Sequence, residues 1–528
     1  MWINPADYTG GEYNQIVKNW DEIEFKVALA FPDIYDIAMS NLGLMIFYDL
    51  INKHKNLLAE RVFCPWPDME TFMRQQAVPL FSLESKHLIR DFDLLGITLP
   101  YESLYTNALN LIDLAGMPIR SLDRDNSYPL IIAGGHACYN PEPMAPFIDV
   151  FVIGEGEEAF LKLIAVLRAS KHLDRETQLR YIAQIEGCYV PRFYDVAYHD
   201  DGTVQAITPT MPEAPAKVLK TIVSQLPPPV TDFIIPFIET IHNRAPIEIM
   251  RGCTRGCRFC HAGMVTRPVR ERPVAEVLAA MEKILESTGY EEIALLSLSS
   301  SDYTNVLELT EKIGRQFGQL GLNISLPSLR IESVSTQLMD NLGDSRRGGF
   351  TLAPEAATEK MRNTINKFVA DADLLETARE IFRRDWRTIK LYFMIGHPLE
   401  EMEDVQAIID LSKAVLAEGR KFHGKKSERQ RGRQHLHPQA APPFQWEAMD
   451  DVDRVYAKLN HLKNALRGPG LRLRWNDPRE SLFEGFLSAA TGVWLTWWNT
   501  PGVMGPNSTP GWSILAKRSG RKPLPRRA

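Results

Sequence analysis

Half of the six cysteines fall within one short stretch, Arg251-Gly-Cys-Thr-Arg-Gly-Cys-Arg-Phe-Cys260. Cys253, Cys257 and Cys260 are spaced C-x3-C-x2-C. Gly252 and Gly256 allow tight backbone turns, so three sulfurs can converge on one point. Thiolates are soft ligands that suit iron–sulfur clusters or zinc. A structural zinc site takes four protein ligands, and a protein-held 4Fe–4S cluster usually takes four cysteines. Three thiolates therefore imply a cluster with one iron open to a further ligand, or a zinc site completed by His261 or Cys188.

The surrounding pattern must position this loop. The apolar run 246–250 precedes it as a strand, and Pro273 opens the helix that follows. Val274, Val277, Leu278, Met281, Ile284 and Leu285 share one face of that helix, which marks it for packing and not for chemistry. Arg267, Arg270 and Arg272 either meet an anionic substrate or form salt bridges in a solvated loop. Further strands are expected at 293–298, 324–329, 349–352 and 388–395, each followed by polar residues and a helical pattern. The polar ends are Ser299 to Asp302, Arg330 and Glu332, Glu355, and Gly396 to Glu400. In (β/α) barrels such ends face one mouth and build the site.

Upstream, strands are expected at 26–31, 94–99, 129–133 and 150–153, alternating with helical segments. Such alternation argues for βαβ units and a doubly wound parallel sheet. Ligands bind such sheets beyond the carboxyl ends of the strands. Gly134-Gly135-His136 and Gly154-Glu155-Gly156-Glu157 stand at those ends. Glu155 and Glu157 either meet a polar ligand or favour the first turn of the next helix.

C-x3-C-x-aromatic-C resembles the signature of the radical S-adenosylmethionine (SAM) superfamily. The resemblance implies a partial (β/α)6 TIM-type barrel and a 4Fe–4S cluster on Cys253, Cys257 and Cys260, with SAM on the open iron. It places Phe259 near the adenine, and Ser299, Asp302, Arg330, Glu332, Glu355 and Tyr392 as contacts to SAM or substrate. The ordered upstream set resembles the cobalamin-binding-type, Rossmann-like domain that precedes many such barrels, with Gly134, Gly135, His136, Gly154, Glu155 and Gly156 at the cofactor edge. Residues 36–41 read Asp-Ile-Ala-Met-Ser-Asn, without the D-x-H-x-x-G motif that supplies an axial histidine. That implies cobalamin held without a histidine ligand, or a domain that kept the fold and lost the cofactor. The resemblance runs over most of residues 20–484, nearest to uncharacterised cobalamin-type members related to methylthiotransferase-like barrels. It implies an unknown substrate (RNA, protein or small molecule), a donor such as flavodoxin or ferredoxin, and radical chemistry that includes methyl transfer. The alternative is a non-catalytic zinc- or cluster-binding regulatory or nucleic-acid-binding protein.

At 528 residues two or three domains are expected. They read as a cobalamin-binding-like domain (1–170), a connector (171–240), the barrel with its extension (241–484) and an irregular basic tail (485–528). A net charge of −6 gives no general argument for nucleic acid or membrane. Crowded cysteines in so long a chain suit a reducing compartment better than a disulfide framework. With no secretory signal pattern and no membrane-length apolar run, a cytoplasmic location is expected. Where a sixth barrel strand belongs, residues 427–437 are polar and basic without apolar alternation, so no strand is expected there. Family-like sequence resumes at Pro443, which motivates reading 427–440 and 488–528 as translated out of frame.

Overall fold

The computed structural model describes residues 5–331, 336–341, 350–424, 428–435 and 441–491. They form two compact units, one of residues 5–223, 234–242 and 490–491, the other of 224–233 and 243–489.

The first unit is built on a six-stranded sheet. Its strands are β1 (Phe25–Phe31), β2 (Leu57–Phe63), β3 (Leu94–Thr98), β4 (Leu130–Gly134), β5 (Val150–Val152) and β6 (Cys188–Tyr189). Their order is β2-β1-β3-β4-β5-β6, parallel except for β6, which runs antiparallel to β5. Continuous Val/Ile/Leu runs suit strands buried on both faces. The exception is β2, whose Glu60 and Arg61 hide it from an apolar-run reading, although every one of its residues is buried. Arg61 is fully buried between Glu12 and Glu84. Leu83 N donates to the Arg61 carbonyl (2.8 Å), and Arg61 N donates to Glu84 Oε2 (2.7 Å). Residues 83–84 thus satisfy the open edge of β2, which would otherwise present unpaired backbone groups. A short antiparallel hairpin, β7 (Tyr194–Tyr198) and β8 (Val204–Pro209), follows.

The second unit is the partial (β/α)6 barrel. Its six parallel strands are β9 (Ala245–Glu248), β12 (Glu292–Leu296), β13 (Asn323–Ser325), β14 (Phe350–Glu355), β15 (Thr388–Ile395) and β16 (Glu428–His435). Two short strands, β10 (Met250–Arg251) and β11 (Arg270–Glu271), pair antiparallel beside the first of them. The barrel strands hydrogen-bond in two groups, β9-β12-β13 and β14-β15-β16, and β17 (Leu471–Leu473) extends the second. Phe350, Leu352, Ile389, Leu391, Phe393 and Ile395 turn to one face and pack on the helices Asp371–Arg383 and Met402–His423. Alternation along β15 leaves Lys390 and Tyr392 on the opposite, half-buried face.

The expectation of no strand at 427–437 is corrected by β16, which keeps register with β15 from Thr388↔Glu428 to Ile395↔His435. Ladder bonds come from backbone N–H and C=O groups, which every residue here carries whatever its side chain. β15 pairs with that backbone along its whole length, and β17 pairs with Arg429–Arg431 on the other edge. Apart from β16 and residues 488–491, the out-of-frame reading falls outside the described residues.

Candidate active site

The cysteine loop is an excursion between β10 and β11, which clasp its two ends. Gly252 sits at φ 92°, and a Cβ there would lie 2.5 Å from the Pro268 carbonyl oxygen. Only glycine allows the outgoing and returning chains to approach so closely. Inside the excursion the peptide groups are held from outside. Arg267 Nε donates to the Cys253 carbonyl (3.1 Å), Asn366 Nδ2 to that of Gly256 (2.9 Å), and Arg258 N to that of Ile365 (3.0 Å). Phe444 N donates to the Arg258 carbonyl (3.0 Å). Phe259 packs on Ala356, Met361, Ile365 and Phe444, anchoring the loop through an apolar contact.

The loop's backbone is thereby spent while its sulfurs keep other work. Cys257 is buried, and Cys253 and Cys260 are half-buried. Cys260 begins the short helix His261–Val265, and its Sγ accepts a bond from Gly263 N (3.3 Å). Burial pushes the Cys260 thiol up, and the Gly263 N–H opposes it. The neighbouring Cys257 and Cys253 push it further up, while Lys367 pulls it down. Among the described residues no three His, Cys, Asp or Glu side chains are already gathered to hold a metal. The donor set still fits a cluster with one open iron: three soft thiolates on one loop whose backbone is already fixed. Of the two residues weighed for a zinc site, His261 is buried in the following helix, and Cys188 is a buried residue of β6 in the first unit.

The other expected residues lie at the strand ends. After β12, Ser299 Oγ donates to Asp302 Oδ2 (2.6 Å). Asp302 also receives a forked bond from Arg255 of the cysteine loop, with Nε at 2.9 Å from Oδ2. Asp302 thus ties the loop to the end of β12. Arg330 N donates to Ser301 Oγ (3.0 Å), joining the ends of β12 and β13. Glu332 lies outside the described residues. The pairing of β14 with β15 shifts register between Leu352 and Glu355. Glu355 adopts φ 65°, a left-handed conformation that is uncommon outside glycine and worth a look in a site. Its Oε1 is 3.1 Å from Lys367 Nζ, and both side chains are largely buried.

Three further buried polar groups stand at this end of the barrel, and sequence reasoning missed the two lysines among them. Lys367 is one. Lys458 is the second: its Nζ lies 2.8 Å from Glu400 Oε2 and 2.6 Å from Asp450 Oδ2. Glu400 also accepts from Gly396 N (2.8 Å), so it turns back onto the end of β15 while Glu401 caps the helix. Burial pushes Glu400 up, against the pull of Lys458. The third is His397, 4% exposed, whose two ring nitrogens meet no partner in hydrogen-bond geometry. Burial holds its pKa down at about 4. The Gly396-His-Pro run was visible in the sequence. Nothing there marked Lys367 or Lys458 as buried.

The glycine segments of the first unit look different. Gly135 has φ 119°, and a Cβ would lie 2.4 Å from the Leu99 carbonyl oxygen. At Gly154, with φ 105°, it would lie 2.4 Å from that of Thr221. At Gly156 it would meet the Phe47 ring at 2.8 Å. Glu155 accepts Val223 N through Oε2 (2.7 Å). His136 is half-buried and starts the turn His136–Tyr139. Gly134 alone of these glycines is open, the nearest atom to an added Cβ being 4.0 Å away. In place of an axial histidine, residues 36–41 form a helical turn and the Asn41 cap of the helix Leu42–Asn52.

Comparison with known proteins agrees with this architecture. Residues 43–191 match the family model "Radical SAM proteins, N-terminal", and residues 247–412 match "Radical SAM superfamily". An uncharacterized protein of Methanocaldococcus jannaschii is 26% identical over 88% of this chain and 88% of its own length. The ribosomal protein uS12 methylthiotransferase RimO of Beijerinckia indica is 25% identical over 39% of this chain, and the match spans about half of that relative, 51%. The radical S-adenosylmethionine methyltransferase TsrM of Kitasatospora setae, solved with cobalamin and a 4Fe–4S cluster bound, shares the fold with TM-score 0.51 at 13% identity. That likeness covers 78% of this chain and 74% of TsrM.

Proposed function

This chain belongs to the radical SAM superfamily, and we propose that Cys253, Cys257 and Cys260 hold its 4Fe–4S cluster while Glu355, Tyr392 and the Ser299–Asp302 turn line the SAM and substrate site. It is a radical SAM enzyme; the non-catalytic alternative is not favoured by its family or its fold. The observation that carries the site assignment is the loop itself, which puts Cys253, Cys257 and Cys260 on one tight excursion with its backbone pinned by Asn366, Ile365 and Arg267. When bound, the cluster supplies one electron that cleaves SAM reductively and starts radical chemistry on the substrate. The chain's own part is to bind, orient and exclude water. Arg255 and Asp302 fix the loop against β12, and Phe259 fixes it against residues 356–365.

Cobalamin-assisted methyl transfer is the reaction class favoured by the first unit's doubly wound sheet, with the cofactor at the carboxyl end of β4, where Gly134 is open. No axial histidine is offered by residues 36–41. The closure of Gly154 by Thr221 favours the competing reading, a domain that kept the fold without the cofactor. Among the described residues no helix is long and apolar enough to cross a membrane. The enzyme requires a substrate and a reductant; a cytoplasmic flavodoxin or ferredoxin is the proposed donor.

Anaerobic reconstitution should give a brown protein with about four irons per chain that cleaves SAM with dithionite. Cys257→Ala should lose both iron and cleavage. Bound zinc without SAM cleavage would refute the enzyme reading, and cleavage by the Cys257→Ala protein would refute the ligand assignment.

A further inference from the structure

The segment after the helix Glu359–Thr364 touches the cysteine loop with consecutive residues. The Thr364 carbonyl accepts Arg258 Nη1 (2.6 Å), the Ile365 carbonyl accepts Arg258 N (3.0 Å), and Asn366 Nδ2 donates to the Gly256 carbonyl (2.9 Å). Asn366 holds this clasp in a left-handed conformation, φ 55°. The next residue, Lys367, is turned inward with 9% of its surface exposed. Lysines are almost never buried unless paired. Here the partner is Glu355, at 3.1 Å, itself held at φ 65° beyond the register shift in β14. A strained carboxylate and a tight clasp thus keep one ammonium beside the cysteine site.

We infer that Lys367 is a positioning cation for the cluster, fixed by Glu355 and by the clasp 364–366 on the flank of the cysteine loop, where it favours the electron-rich state. This rests on the assignment of the three cysteines made above. Lys367 directly follows Asn366 and Ile365, which hydrogen-bond to Gly256 and Arg258 of the loop, and Phe259 packs on Ile365. Net charge and outer contacts set cluster potentials. The redox step is the addition of one electron from dithionite to the oxidised cluster, with no bond made or broken in the protein. A fixed positive charge stabilises the added negative one.

The test is a potentiometric titration of the reconstituted full-length chain, followed by electron paramagnetic resonance of the reduced cluster. For Lys367→Met the ratio of reduced to oxidised cluster at a fixed potential should fall about tenfold, about 59 mV for one electron. Lys367→Arg, which keeps the charge, should stay near wild type. Asn366→Ala, which loosens the clasp and keeps the charge, should lose iron faster on dilution with a smaller shift of potential than Lys367→Met. Because Lys367→Met strands Glu355, the pair Glu355→Gln and Glu355→Gln/Lys367→Met isolates the ammonium, and the double variant should still lie below the single one. An unchanged potential in Lys367→Met, or equal shifts in the Met and Arg variants, would overturn the inference. A wild-type chain that assembles no cluster would instead overturn the function on which it rests.

Discussion

Two kinds of glycine-bearing loop stand at strand ends in this chain, and they are closed by different things. In the first unit Gly135, Gly154 and Gly156 are glycines because the chain itself needs the space, Leu99, Thr221 and Phe47 lying where a Cβ would go. In the second unit Gly256 has only the side-chain tips of Arg267 and Asn366 near it, at 3.4 and 3.5 Å, and its loop is held through carbonyls while the thiols are kept for a ligand. The same residue type therefore serves self-packing in the first unit and at Gly252, where the Pro268 carbonyl crowds it, and site-building at Gly256. The first kind should show in stability, the second in cofactor binding.

The sharpest way to break that contrast is substitution at Gly154. Ala there meets both a disfavoured φ of 105° and a backbone oxygen at 2.4 Å. Strain and overpacking together should cost about 4 kcal/mol, seen as a large fall in the unfolding temperature of the first unit. Gly134→Ala should cost less than about 1 kcal/mol, because the nearest atom is 4.0 Å away. If cobalamin lies at that edge, Gly134→Leu should weaken its binding in an absorbance titration while the fold survives. Equal stability losses at Gly134 and Gly154 would erase the distinction.

A second test concerns the buried charge in the barrel. Lys458 serves Glu400 and Asp450 together, and all three side chains are nearly excluded from water. Lys458→Met strands both carboxylates and should cost about 3 kcal/mol. Burial already pushes Glu400 up, and losing the opposing pull of Lys458 should push it further up. The double variant Glu400→Gln/Lys458→Met should recover part of the loss. No recovery would mean that Lys458 acts through packing of its stem and not through its charge.

The parts legible in the sequence were those where one physical cause writes a pattern. Apolar runs gave β1, β3, β4, β5, β12 and β15, and the cysteine spacing gave the loop. The parts not legible are those where the cause lies elsewhere in space. β2 carries Glu60 and Arg61 because residues 83–84 cover its edge, and β16 is paired by its two neighbours rather than by its own apolar content. Lys367 and Lys458 look like any surface lysines until their carboxylates are placed beside them. The first unit's glycines look like a ligand loop because crowding by a ligand and crowding by the chain select the same residue.

The smallest effect, and the one that asks most about the barrel mouth, belongs to His397. Its ring is buried at the end of β15, near the Glu355 carbonyl, with Lys458 opposing its protonation and Asp404 favouring it. Burial dominates and lowers its pKa from 6.5 to about 4. The sign follows from linkage: between these values the unfolded chain binds the proton and the folded one does not, so acid favours unfolding. Stability should be unaffected above pH 7 and fall by about 2 kcal/mol between pH 7 and pH 5. His397→Asn removes the group and should flatten that part of the pH profile of unfolding free energy. Neither nitrogen of this buried imidazole makes a full hydrogen bond, the Glu355 carbonyl lying near without ideal geometry, and such loosely satisfied groups call for a reason, often at a functional site. If His397 faces the bound ligand, SAM added to the reconstituted enzyme should shift the histidine's titration, whereas Gly135 and Gly154 variants of comparable stability should leave SAM affinity alone. A pH profile that SAM does not move would place His397 with the self-packing glycines and not with the cysteine loop.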